Sequence, residues 1–182
     1  MLPQSKTFKT ALLATVAALT LGLSTNDAKA EFEEGDYELR VAGFATNDVN
    51  FDGFVANVAG SLGYFFSDQF EAGVRQDFTY SDLAGTALNG STAVFADYHI
   101  GDPQAQLQPF IGANFGYAYG DTTNDTFFAG PEGGVKYFFP DNDQWFLLGQ
   151  VEYQFFFEDG GDADDSLNDG VFVYRLGLGV VF

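Results

Sequence analysis

The sequence predicts an all-β fold, an eight-stranded antiparallel up-and-down transmembrane β-barrel behind a cleaved N-terminal signal peptide. Three observations lead there. Downstream of residue 30, apolar and polar side chains alternate with the period of two that an extended strand imposes. Eight such segments follow one another, an even number, cut by turns rich in Asp, Asn and Gly. The basic residues among them fall on the face opposite the apolar sets, which suits a polar interior and an exterior that meets lipid.

The leader comes first. Lys6 and Lys9 precede an apolar run from Ala11 to Leu23, and Ala28-Lys29-Ala30 forms a small-x-small cleavage site. The run is too short and too alanine-rich for a comfortable membrane-spanning helix. Residues 1–30 are therefore read as a secretory signal peptide, and 31–182 as one mature domain. The chain has no cysteine, so an exported fold of this kind is not held by disulfides.

The strands read in order as DYELRVAGFAT (36–46), FVANVAGSLGYFF (54–66), FEAGVRQDFTY (70–80) and TAVFADYHI (92–100). QLQPFIGANFGYAYG (106–120), FFAGPEGGVKYFF (127–139), QWFLLGQVEYQFFF (144–157) and GVFVYRLGLGVVF (170–182) complete the set. The connections after the second, fourth and sixth strands (SDQ, GDPQAQ, PDND) are tight. The others (NDVNFDG, SDLAGTALNGS, DTTND, EDGGDADDSLND) are longer on average. That asymmetry assigns the short turns to the periplasmic side and the longer loops to the cell exterior.

Charge supports the same sense. Of seven Lys and Arg, Lys6, Lys9 and Lys29 lie in the leader, as does one of 26 Asp and Glu, Asp27; the mature chain carries four bases against 25 acids, a net of −21. Such a chain repels nucleic acid. The four bases, Arg40, Arg75, Lys136 and Arg175, share their strand faces with Glu38, Glu71, Asp77, Asp97, Glu132, Glu152 and His99. These residues form the expected lumenal charge network, with Phe44, Phe95, Phe110, Phe146 and Phe156 as the large groups among them. Simple hairpin register sets Glu152 across from Arg175 and Asp97 near Arg75. A soluble sandwich or cup would reverse the faces. Against that, the outward sets are aromatic near strand ends (Tyr64, Phe66, Tyr80, Tyr98, Tyr117, Tyr119, Tyr137, Phe139, Trp145), as at a bilayer interface.

Three segments, PFIGANFGYAYG (109–120), GPEGGVKYFF (130–139) and YRLGLGVVF (174–182), resemble the small eight-stranded outer-membrane barrel family, the outer membrane protein β-barrel domain typified by the membrane domain of outer-membrane protein A. The resemblance implies a bacterial outer-membrane location. It also implies that Tyr174, Leu176, Leu178, Val180 and Phe182 act as an insertion signal read by the barrel-assembly machinery. The peptidoglycan-binding domain of outer-membrane protein A has no counterpart here, so wall anchoring by that route is not implied.

Two functional readings follow. One is a structural or surface-interaction protein with a salt-bridged lumen and acidic outer loops. The other is a narrow, low-conductance, cation-preferring pore, because the six lumenal acids exceed the four bases. An enzyme is the remote third. His99, Asp97 and Ser61 lack a nucleophile motif, and Gly101 follows Ile100 where the lipid A deacylases of this barrel size carry a His-x-Ser pair. The protein is read as non-enzymatic, without a cofactor, and monomeric because closure leaves no sheet edge. Its expected partners are outer-membrane lipid and lipopolysaccharide, with divalent cations possible at the outer loops. Asp159, Asp162, Asp164 and Asp165 in the last loop are the weak metal candidate, but their spacing is not that of an EF-hand.

Overall fold

The computed structural model describes residues 32–47, 53–82, 85–123, 125–140, 142–157 and 170–182. Eight strands form a closed barrel in sequence order. They are β1 (Tyr37–Asn47), β2 (Phe54–Ser67), β3 (Phe70–Ser81), β4 (Ala87–His99), β5 (Leu107–Gly120), β6 (Thr126–Phe139), β7 (Asn142–Phe157) and β8 (Val171–Val181). Every neighbour pair is antiparallel, and β8 returns to β1.

The side-chain alternation sorts cleanly. Glu38, Arg40, Glu71, Arg75, Asp97, Glu132, Lys136 and Glu152 are buried, while Leu62, Val74, Phe78, Val94, Ile111, Phe115 and Leu147 are exposed on the outside. Burial of these charged strand residues beside exposure of the apolar ones inverts the soluble arrangement. Only a lipid exterior makes it stable, and closure pairs every strand with both of its neighbours in the wall.

Aromatic rings run along the short-turn rim. Phe182 to Tyr37, Tyr37 to Tyr64, Tyr64 to Phe66 and Phe66 to Phe70 are spaced 6.1, 5.1, 4.9 and 6.1 Å between centroids. At the other rim Tyr117 packs on Phe127 at 4.8 Å and Tyr153 on Phe172 at 4.7 Å. Rings with a polar tip or edge suit these two interfaces.

One strand departs from the sequence reading. β4 starts at Ala87, five residues before Thr92, and its ladder with β3 continues through Phe78↔Gly90 and Thr79↔Asn89 to Ser81↔Ala87. Asn89 and Gly90 suggest a turn by propensity. Pairing to β3 on one side and β5 on the other overrides it. The Asn89 side chain bonds Thr122, and the Tyr119 ring lies over Gly90 where any Cβ would meet it at 2.8 Å.

Within the lumen, small residues make room for large ones. A Cβ on Gly63 would lie 1.8 Å from Glu71 Oε1, and one on Gly179 would lie 2.1 Å from the Phe146 ring. An eight-stranded barrel is just wide enough for side chains to fill, and each glycine lets a side chain from a neighbouring strand lie flat against the wall.

Candidate functional site: a layered lumenal charge network

The floor, at the short-turn end, is aromatic. Phe32, from the segment preceding β1, turns into the barrel mouth and joins Phe65, Phe110, Phe138, Phe146, Leu148 and Val181 in one buried cluster. Its ring lies 4.5 Å from Phe65, 4.7 Å from His99 and 5.5 Å from Phe138.

Above the floor lies the first ion cluster, two cations among three carboxylates. Lys136 Nζ donates to Glu38 Oε2 at 2.6 Å and Glu71 Oε2 at 3.0 Å. Its other side faces four phenyl rings, Phe32, Phe146, Phe65 and Phe110, at 5.2, 5.3, 5.5 and 5.6 Å. The ammonium thus replaces its water shell with two carboxylates and a set of ring faces, which is how a buried charge becomes tolerable. Arg40 spreads one guanidinium over three partners: Nε to Glu38, Nη2 to Glu71, and both Nη atoms to Asp97 Oδ2 at 3.1 and 3.2 Å.

Phe95 separates this cluster from the next. Its ring is 4.8 Å from the Arg40 guanidinium and 5.2 Å from that of Arg75. Arg75 then forks onto Glu132, Nη2 to Oε1 at 2.8 Å and Nη1 to Oε2 at 3.1 Å, and Nη1 also reaches Glu152 at 2.9 Å. Asn114 Nδ2 donates to Glu132 at 2.6 Å. Arg175 bonds Glu152 through Nη1 and Asp77 through Nη2, the latter at 3.2 Å. This second cluster repeats the first in composition: two cations, three carboxylates.

All four bases of the mature chain are therefore held by carboxylates inside the barrel. Of the two expected pairings, Glu152 with Arg175 forms and Asp97 with Arg75 does not. Arg175 meets Glu152 diagonally, because Gln150 stands opposite it in register and Glu152 stands opposite Val173. Asp97 goes to Arg40 and not to Arg75; it lies across from Glu71, four pairs from the Arg75↔Ala93 level. A wall reading of adjacent hairpins finds the first pair, which joins β7 to β8, and misses the second, since Arg40 on β1 reaches across the lumen to Asp97 on β4.

The His99 ring nitrogens have no hydrogen-bond partner among the described residues, and Nε2 is 3.7 Å from Glu71. Its ring sits among Phe32, Phe65 and Phe110, and Asp97 is committed to Arg40. Ser61 lies opposite Arg40 and Arg75 in register. The three side chains make no hydrogen-bonded relay. Phe44 faces the lumen but stands 56% exposed, at the long-loop mouth. Phe156 packs on Ala93, Ala118 and Phe128 beside it. Tyr174, Leu176 and Leu178 are exposed on the outer face, while Val180 is buried between Leu39 and Trp145 in register. Asp159, Asp162, Asp164 and Asp165 lie outside the described residues.

Sequence reasoning overlooked Phe32 and Asn114, and placed Gln154 on the polar face of its strand without a partner. Asn114 was legible from its phase, two residues on from Gly112 and four from Phe110 on the inward face. Gln154, which donates to Glu152, follows the same rule. Phe32 had only a weak signal, one aromatic among acids ahead of the first strand.

A closed wall of eight antiparallel strands, charge inside and apolar residues outside, defines a β-barrel of the bacterial outer membrane. Known proteins bear this out. The chain is 29% identical over 139 residues to outer membrane porin F of Pseudomonas aeruginosa; the match takes in 68% of this chain and 37% of that protein. The N-terminal β-barrel domain of P. aeruginosa OprF superposes with a TM-score of 0.60 at 20% identity, covering 82% of this chain and 98% of that one. OprG from the same organism gives 0.56 at 12% identity (85% and 99%), and Neisserial surface protein A gives 0.52 at 18% (81% and 96%). No family model matches.

Proposed function

We propose that the protein is a closed structural barrel of the outer membrane whose interior fixes its shape and whose acidic outer loops form its interaction surface. The observation that carries this reading is the continuous lumenal filling. An aromatic floor, two ion clusters and the Phe95 ring between them follow one another along the axis. Opening such a stack means parting at least one of the buried ion pairs, and an uncompensated buried charge costs about 3–5 kcal/mol.

The last outer loop, EDGGDADDSLND, concentrates six carboxylates in twelve residues. Its chemistry suits divalent cations shared with the phosphates of lipopolysaccharide. The terminal Tyr174-to-Phe182 pattern serves recognition by the barrel-assembly machinery during insertion. No catalytic step is assigned to the protein.

A second reading rests on the excess of carboxylate in both clusters, which favours a narrow cation-preferring pore if a pair opens. The readings separate in the native bacterium. Replacing residues 158–169 by a short Gly-Ser hairpin should raise sensitivity to detergent and to divalent-cation depletion while the barrel stays folded. Lumen variants such as Glu152→Gln should change stability and leave those sensitivities alone. The reverse pattern, with silent loop variants and lumen variants that alter cation uptake, sinks the structural reading in favour of the pore.

A further inference from the structure

The joint that closes the barrel has the shortest ladder in the wall. Each of the other seven neighbour pairs is joined through ten to twelve residue pairs. The β1–β8 ladder runs through five, from Glu38↔Val181 to Ala42↔Gly177, with mutual Tyr37–Phe182 hydrogen bonds below them. Sheet stability accumulates pair by pair, so on its ladder alone this joint is the weakest place in the wall.

Two ion pairs cross the same joint inside the lumen, in opposite directions. Glu38 on β1 meets Lys136 on β6 at 2.6 Å, and the shorter way round the wall between those strands leads through the joint, by β8 and β7. Arg175 on β8 meets Asp77 on β3 at 3.2 Å, and there the shorter way leads through the joint by β1 and β2. Phe32, carried just ahead of β1, adds an apolar tie in the first direction: its ring lies 5.5 Å from that of Phe138 and 5.2 Å from Lys136 Nζ, both on β6.

β8 leaves room for these ties. Two of its inward residues beside β1 are Gly177 and Gly179, and the Phe146 ring of β7 lies over Gly179, where a Cβ would stand 2.1 Å from it. The Arg75 fork onto Glu132 also joins β3 to β6, but the shorter way between them runs by β4 and β5, away from the joint. When β1 swings away from β8, an ion pair that spans the joint must part, and parting a buried pair is costly. A pair that spans β4 and β5 can stay whole.

We propose that the Glu38–Lys136 pair, the Phe32 ring and the Arg175–Asp77 pair form a clasp across the β1–β8 joint, so that side chains in the lumen, and not the ladder, set how readily the barrel opens there. The clasp goes beyond a filling that fixes shape. It gives the ties across one joint a role that the Arg75–Glu132 fork lacks, and it holds whether or not the lumen conducts.

Hydrogen exchange of the refolded mature chain in lipid nanodiscs, read by mass spectrometry, tests the clasp from its far ends. Lys136→Met on β6 and Asp77→Asn on β3 each remove one tie without altering β1 or β8. Each should speed exchange of the amides in residues 37–42 and 177–182 by about ten-fold or more. The β4–β5 ladder, residues 93–98 with 111–116, should stay within about two-fold of wild type. Glu132→Gln is the control: it cuts a buried fork on the same strand as Lys136 and should not single out the joint. If Lys136→Met does not fold, Asp77→Asn and the milder Phe32→Leu decide. Joint amides that keep the wild-type rate in the tie variants overturn the proposal. So does acceleration spread evenly over all the ladders, or a Glu132→Gln change that opens the joint as much as the tie variants do.

Discussion

Removing the Lys136 ammonium probes the lumen at its most enclosed point. Lys136 is fully buried, donates to Glu38 and Glu71, and lies against four phenyl rings. Lys136→Met keeps most of the side-chain volume and its contact with the rings but leaves three carboxylates with Arg40 alone. Breaking a buried pair this way costs about 3–5 kcal/mol, and the lost cation–π attraction adds about 0.5–2 kcal/mol. Methionine's packing offsets part of that, so a net loss of about 4 kcal/mol is expected, a large share of the roughly 5–15 kcal/mol that holds a typical domain. Urea unfolding from lipid vesicles reads it, with Trp145, the one tryptophan in the chain, as the fluorophore. At a slope of about 2 kcal/mol per molar, the midpoint should fall by about 2 M. Adding Glu71→Gln removes one of the stranded charges and should recover about 2 kcal/mol. A midpoint within about 0.5 M of wild type for Lys136→Met, measured at equal slope, would refute the claim that the ammonium is a structural counter-ion.

Three other perturbations test the layers around it. Gly63→Ala places a methyl group on Glu71 Oε1 and should cost about 1–3 kcal/mol by overpacking, relieved when Glu71 is shortened to Asp; urea midpoints of the single and double variants check both. Phe32→Ala removes the ring that stacks on Phe65 and packs at a tilt against His99 and should lose about 3 kcal/mol. The same change should speed hydrogen exchange of the amides around Lys136, which mass spectrometry can follow. Arg75→Lys cannot reproduce the fork onto Glu132 together with the Glu152 bond and should destabilise by about 1.5–3 kcal/mol despite equal charge.

The fold was legible because a membrane barrel writes both faces of its wall into one period. Around Arg75 the inward Glu71, Arg75 and Asp77 and the outward Val74 and Phe78 could be separated by counting alone. The register within each hairpin was also close, save for β4, where Asn89-Gly90 looked like a turn until pairing on both sides was known. Partners across the lumen were not legible. Asp97 with Arg40, and Arg75 with Glu132, join strands two or more apart in the wall, and their meeting depends on barrel radius and side-chain reach. The same holds for Phe32, whose place under Lys136 is set by a chain reversal at Gly35, φ 107°, where Gly35 N–H donates to Phe65 O. The end of the β1–β8 ladder at Ala42↔Gly177 left no trace in either strand's pattern, since both alternate normally past it.

Single-channel recording from the refolded mature protein in planar bilayers tests the closed lumen most directly, with Glu152→Gln and Arg175→Ala alongside. Folded protein, verified by its heat-dependent gel shift, should insert and stay silent, and the two variants should show lower urea midpoints without reproducible current steps. Regular cation-selective steps from the wild type that shift in size or selectivity with either substitution would contradict the account and make the same ion pairs the gate of a pore.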